Sequence, residues 1–221
     1  MKTEELPIFP LTGVVLFPEV QAPLHIFEPR YRQMTEAALA GSQQIGMVVI
    51  PPEHAHETAG DPPLHPIGCA GAIRQSRELP DGRYNLVLEG THRFRIHEER
   101  ARPSERLYRV ATVELLPEPF PESDREPAAR LRQQIVDHVA ELVRRSEPGR
   151  AQQLSEQLFQ GVRGAAFVNS LCQALSFPVD EKLALLDAPD VLSRSKLLEG
   201  LLGFRVAGLG TGGSRGSQSV H

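Results

Sequence analysis

The sequence is poor in the chemistry that would make it an enzyme, a membrane protein or a disulfide scaffold. Only two cysteines, Cys69 and Cys172, occur in 221 residues, too few and too far apart for a disulfide framework or a zinc knuckle. Each lies in an apolar stretch and is expected to be a buried small hydrophobe. Lysine is confined to Lys2, Lys182 and Lys196, and the formal net charge of -4 provides no field for wholesale attraction to nucleic acid or membrane. Aromatic residues make up 5% of the chain, which leaves few rings to stack on bases. No apolar run approaches membrane-spanning length and no basic, apolar leader opens the chain, so the expected location is the cytoplasm. What remains, 40% hydrophobic and 24% charged, is the composition of an ordinary globular protein. Its length suits one large domain or two small ones.

The first half reads as strand and turn, the second as helix. Between Leu6 and Ile26 short apolar runs are cut by Pro7, Pro10, Gly13, Pro18 and Pro23. Proline has no backbone donor, so these runs belong at edges, strand ends or bulges. Pro29 suits a first helical turn, and Tyr31, Met34, Ala38 and Leu39 mark an apolar face that ends at Gly41. Gln44–Ile50 follows as a buried strand, and residues 51–66 as a loop. Strands at Ile67–Arg74 and Tyr84–Glu89 flank Asp81-Gly82, a hairpin signal because glycine supplies the positive φ of such turns. His92–His97 reads as a further strand with Phe94 and Ile96 inward and Arg93 and Arg95 outward, and Leu107–Leu116 as another. Beyond the prolines of 117–121, Leu131, Ile135, Val139 and Leu142 form a helical stripe. A second helix carries Leu154 and Leu158, and a third Phe167, Val168, Leu171 and Leu175. Asp180 and Asp190 are positioned to cap two more. Gly203 onward dissolves into glycine and serine.

The opening motifs are more specific than any periodicity. Leu6-Pro7-Ile8-Phe9-Pro10-Leu11, Val15-Leu16-Phe17-Pro18 and the run Pro23-Leu24-His25-Ile26-Phe27-Glu28-Pro29-Arg30-Tyr31-Arg32 resemble the start of the Lon protease N-terminal, substrate-binding domain family. The likeness continues at Asp81-Gly82-Arg83-Tyr84, Leu88-Glu89-Gly90 and Arg93-Phe94-Arg95, then more weakly at Phe177-Pro178-Val179 and Leu183-Ala184-Leu185-Leu186. The resemblance implies an α+β fold, a PUA-like, mostly antiparallel β-barrel followed by a C-terminal α-helical bundle. The expected division is a barrel at 1–117, a helical part at 122–204 and a disordered tail at 205–221. The chain resembles a stand-alone member without the family's ATPase and peptidase domains. Its implied work is non-catalytic recognition of unfolded polypeptide or a protein partner, including a cellular protease, as a substrate-binding or adaptor module in proteolysis or protein quality control. A monomer or weak dimer is expected.

The residues themselves supply no catalytic set. No Gly-x-x-x-x-Gly-Lys-Ser/Thr loop is present to cradle ATP phosphates. Gly208-Leu209-Gly210-Thr211-Gly212-Gly213 fits a dinucleotide pattern but lies in the expected tail, without the strand and helix that the pattern needs. His54, His56 and His65 read as a solvated loop rather than a metal site. Ser42, Ser76 and Ser104 lack a nucleophile-elbow context. No catalytic residue, metal or cofactor is therefore expected. Phe17, Leu24, His25 and Arg30 are the candidate peptide-binding residues, either as apolar anchor sites or beside an edge strand that an extended peptide joins. Glu28, Glu89 and Arg93 are read as a structural polar motif, with Glu28–Arg30 pinning the turn before the helix and Glu89–Arg93 pairing across Gly90. The alternative is an RNA-binding barrel using Arg93, Arg95, Arg100, Arg102, Arg106 and Arg109, against which the interleaved Glu98, Glu99 and Glu105 count.

Overall fold

A computed structural model describes residues 3–57, 60–146 and 164–211. Among the described residues six strands and five α-helices follow in order: β1 (Thr3–Leu11), β2 (Gln21–Ile26), α1 (Pro29–Ala40), β3 (Gln44–Val49), β4 (Ile67–Glu78), β5 (Tyr84–Glu99), β6 (Arg109–Leu116), α2 (Arg125–Ser146), α3 (Gly164–Ala174), α4 (Val179–Asp187) and α5 (Val191–Thr211). Two compact units form, one of Met1–Glu118 with Asn169–Ala188, the other of Pro119–Val168 with Pro189–His221. Residues 169–188, which the sequence places with the helical half, thus fold with the strands.

The strand order β2-β5-β4-β3-β1-β6 closes on itself because β5 also pairs with β6. Every pairing is antiparallel except β1 with β3. The long strand β5 makes closure possible. Its first part, Tyr84–Glu89, pairs with β2, and its second, Arg93–Glu99, with β6. Two separate strands were expected here, because Gly90 reads as a break. The chain instead stays extended and absorbs an irregularity: register shifts between Ala70 and Gly71, where the partners jump from His92 to Gly90. An extra residue of this kind bends a strand without ending it. The prolines of β1 fit by a division of pairing. Residues Thr3–Ile8 pair with β6 and Ile8–Leu11 with β3, so Pro7 faces one neighbouring strand and Pro10 the other. Neither is asked for a second ladder bond.

Alternation in the strands sends Leu6 and Ile8, Val48, Ala70, Phe94, Ala111 and Val113 into one buried cluster, with Ile96 and Leu115 packed against it. Helix α1 seats Tyr31, Met34, Thr35 and Ala38 inward, the spacing of a single helical face. Tyr31 meets Phe9 edge-on with ring centroids 4.6 Å apart. Pro29 stands in the first turn and the last turn closes with Gly41 and Gln43 amides on the Ala38 carbonyl.

The segment after β1 is a strap across the sheet. Val15, Leu16 and Phe17 are buried, and Gly90 exchanges backbone hydrogen bonds with Val20 (2.9 Å) and Glu19 (2.8 Å). A Cβ on Gly90 would collide with the Phe17 carbonyl. Two amides of α3 hold the strap: Asn169 Nδ2 donates to Pro18 O at 3.0 Å, and the Phe17 amide donates to Gln173 Oε1 at 3.1 Å.

Arg93 is the largest departure from the sequence reading. Alternation does put it on the face opposite Phe94, but that face is covered and only 2% of Arg93 is exposed. Its Nη1 donates to the carbonyls of Leu186 (2.8 Å) and Ala188 (2.6 Å), and its Nη2 to Pro117 O (3.2 Å). Nε lies 2.5 Å from Glu118 Oε1. Helix α4 ends at Asp187 with Ala188 as its C-cap, so the guanidinium satisfies carbonyls that the helix leaves without partners.

In the second unit α2 packs along α5; Ile135, Val139, Leu198 and Leu202 are buried, and Arg132 lies over the Phe167 ring at 3.8 Å. Asp190 caps α5 as expected, its Oδ1 accepting the Ser193 amide at 2.7 Å. Asp180 does not cap α4; Pro178 stands at that position and Asp180 lies in the first turn. Helix α5 continues through Thr211, so residues 205–211, read as the start of a disordered tail, are helical. The expected helix at Leu154 and Leu158 and the end of the tail lie outside the described residues.

Two stability tests follow from this packing. Gly90→Ala is expected to cost about 1–3 kcal/mol in urea unfolding, the range for overpacking; an unchanged midpoint would contradict the close crossing of the strap. The amide of Ser193 holds the Asp190 carboxyl below its ordinary pKa, so this cap stabilises above the unfolded-state value and is lost as pH falls through the folded one. Asp190→Ala should cost about 0.5–2 kcal/mol at neutral pH, and the difference from wild type should shrink on acidification below about pH 4.

Candidate functional site

Strand β2 is an edge. Among the described residues β5 is its one strand partner, and at its start the Gln21 carbonyl accepts from Gln173 Nε2 at 3.0 Å. Ala22 and Ile26 are buried and Leu24 is half-buried, while Gln21, Pro23 and His25 face solvent. His25 is fixed from both ring nitrogens: Nδ1 lies 2.7 Å from Asn85 Oδ1 on β5, and Nε2 lies 3.3 Å from Arg83 Nη1. Arg83 is itself held by Asp81 in the β4–β5 turn, Nε to Oδ2 at 2.7 Å. A shallow groove of ≈ 460 Å³ runs here, with Pro23, Leu24, His25, Val87, Ser76 and Arg77 in its lining.

Just past the end of the strand stands Phe27, 59% exposed. Its ring stacks on His25, with centroids 6.2 Å apart and planes 26° from parallel. Sequence reasoning did not single it out. Alternation was the available signal, since a buried Ile26 turns the next side chain outward. An exposed phenylalanine beside an open strand edge presents apolar area to whatever docks there.

At the corner between β2 and α1 the chain turns into a second groove of ≈ 590 Å³, with Glu28, Arg30, Asp61, Arg102, Arg106 and Leu107 among its lining residues. Arg30 donates from Nε to Glu28 Oε2 at 3.0 Å and its Nη2 lies 2.8 Å from the same oxygen. Arg30 also covers the Tyr31 ring at 4.5 Å. Leu107, 47% exposed, supplies an apolar wall.

Of the four candidate peptide-binding residues, Leu24 and His25 line the first groove and Arg30 the second. Phe17 joins neither. Its exposure is 0% and its amide is taken by Gln173, so it is a core residue of the strap and offers no anchor site. The expected Glu89–Arg93 pair does not form either. Glu89 accepts from Arg74 Nη2 at 2.8 Å and Gln21 Nε2 at 3.3 Å, and these bonds hold its carboxyl below the usual range. Arg93 is committed to α4 and Glu118 on the other side of the bulge.

The arginines considered for RNA are largely neutralised. Arg95 lies 3.8 Å from Asp187, Arg100 3.0 Å from Glu5, Arg102 2.5 Å from Asp61 and Arg109 2.5 Å from Glu99. Paired in this way they present little net positive charge to a phosphate backbone. Among the described residues no group of three or more histidines, cysteines or carboxylates is placed to hold a metal ion. No helix among them is long and apolar enough to cross a membrane.

Comparison with known proteins agrees with this architecture. Residues 5–203 match the model of the ATP-dependent protease La (LON) substrate-binding domain. The chain is 30% identical over 203 residues to the Lon protease of Flavobacterium johnsoniae, a match covering 88% of this chain and 24% of that protein. Against Escherichia coli Lon protease it is 33% identical over 92 residues, 42% of this chain and 12% of the relative. The chain thus spans about a quarter of the length of the first of these relatives. Two solved structures share the fold. A Lon N-terminal domain protein from Xanthomonas campestris aligns with a TM-score of 0.57 at 23% identity, covering 91% of this chain and 98% of that one. The N-terminal domain of Mycobacterium avium complex Lon protease aligns with a TM-score of 0.62 at 17% identity, covering 90% and 98%. With strands closing into a barrel, helices following, and a family match across nearly all of its length, the chain belongs to the LON substrate-binding domain family.

Proposed function

We propose that this chain recognises extended or unfolded polypeptide at the free edge of β2 and its corner with α1. The reading places it in the cytoplasm as a monomer or weak dimer, a non-catalytic substrate-binding or adaptor module that delivers polypeptide to a cellular protease in protein quality control. One observation carries the assignment: an edge strand without a second strand neighbour among the described residues leads into the exposed Phe27, beside a groove that already contains Leu24 and His25. An added strand gains backbone hydrogen bonds from the edge, which are blind to sequence, while Phe27 takes an apolar side chain. Pro23 removes one donor from the edge and so limits which registers an incoming strand can adopt. Broad acceptance of unfolded chains with a preference for apolar residues is the expected outcome. The match of residues 5–203 to a substrate-binding domain family supports the same reading.

Fluorescence anisotropy with a labelled, permanently unfolded polypeptide tests it. Phe27→Ser is expected to weaken binding about tenfold, the effect of losing much of one buried aromatic side chain, while leaving thermal unfolding unchanged because Phe27 is outside the core. The affinity should depend only modestly on salt. Unchanged affinity in Phe27→Ser, or steep salt dependence with preference for an RNA homopolymer, would overturn the assignment.

A further inference from the structure

Among the six arginines between Arg93 and Arg109, Arg106 stands apart. The other five have carboxylate partners. Arg106 has none among the described residues. Its Nη2 donates to Ala101 O at 2.7 Å, its guanidinium lies 5.9 Å from the Tyr108 ring, and its Nε is buried without a hydrogen-bond acceptor. A guanidinium carries five N–H donors, so most of its capacity is unspent. It lines the ≈ 590 Å³ groove at the β2–α1 corner.

The rest of that groove defines what would complement it. Arg30 and Arg102 are matched by Glu28 and Asp61, so the lining holds three guanidiniums against two carboxylates and keeps one positive charge in excess. Leu107, Pro103 and Pro29 supply apolar wall. A ligand that fits all of this brings one anionic group, an apolar side chain immediately beside it, and a donor for the acidic side of the groove. We infer that the groove at the β2–α1 corner is a carboxylate subsite, in which Arg106 receives the terminal carboxylate of a polypeptide ending in an apolar residue. The last side chain packs on Leu107 and Pro103, and the amide N–H preceding it faces Glu28 or Asp61. A chain end meets these demands within one residue. An internal acidic run does not, because its further negative charges would approach Glu28 and Asp61. The site rests on the polypeptide-binding reading and deepens it, giving a module that accepts chains broadly along β2 a preference for free C-termini.

The test uses the full 221-residue chain and one N-terminally labelled peptide ending in valine-leucine, made as the free acid, as the C-terminal amide, and as an amide with one glutamate inside. The acid is expected to bind about tenfold more tightly than the amide, the scale of one charge-assisted hydrogen-bonded contact. Arg106→Gln should bring that ratio to about one, and Arg106→Lys should retain part of it. Phe27→Ser should weaken acid and amide together and preserve the ratio. Equal binding of acid and amide by the wild type, which requires no variant to fold, would overturn the subsite while leaving polypeptide binding intact. So would a ratio that survives Arg106→Gln. If the internal-glutamate amide binds as tightly as the acid, the terminal assignment fails in favour of an acidic side chain. No binding of any of the three would sink both readings.

Discussion

The contact of Arg93 with the end of α4 ties the barrel to the stretch of chain that follows it by some ninety residues. One guanidinium, carried on β5 just past the bulge at Gly90, satisfies the carbonyls of Leu186, Ala188 and Pro117 and faces Glu118. Removing one partner from such a buried set leaves the others desolvated and unpaired, at a cost of about 3–5 kcal/mol, whereas an apolar replacement of the whole set is often tolerated. The contact therefore contributes position more than net stability. It fixes where α4 ends, and α4 shares its unit with the Asn169 and Gln173 amides that hold the Phe17–Gln21 strap across β5.

The strap leads directly into β2, and this links the buried polar contact to the surface. A strap anchored at Pro18 and crossing at Gly90 delivers the chain to Gln21 in one register against Glu89. That register turns Ala22 and Ile26 inward and leaves Pro23, His25 and then Phe27 facing out. The barrel has closed elsewhere through β5 and β6, so among the described strands β2 is left with a side that no strand covers. An open edge beside apolar side chains is a hazard in most proteins and a recognition surface when it is held rigid.

Much of this was legible in the sequence where the physics is local. Asp81-Gly82 sets a turn because Gly82 takes a positive φ of 76°, and Pro29 and Gly41 bound α1 for reasons confined to a few residues. The proline-indexed opening run pointed to the family and so to the fold. What could not be read depends on partners far along the chain. Arg93 looks like an outward strand residue until α4 covers it, and Phe17 looks available until Gln173 and the barrel enclose it. Gly90 reads as a break because its reason for being glycine is the Phe17 carbonyl crossing above it. Arg106 is distinguished from its neighbours by which carboxylates the fold brings near, information that charge spacing alone does not carry. Phe27 was recoverable from alternation, but a phenylalanine inside an apolar run gives no other sign of facing water.

The most direct test of recognition at β2 is hydrogen–deuterium exchange of the full chain with and without a reduced, alkylated, permanently unfolded protein. Added protection concentrated on residues 21–27, with the buried strands β3 and β4 unchanged, is the result this account predicts. Protection that falls elsewhere while residues 21–27 exchange as in the free chain would contradict it.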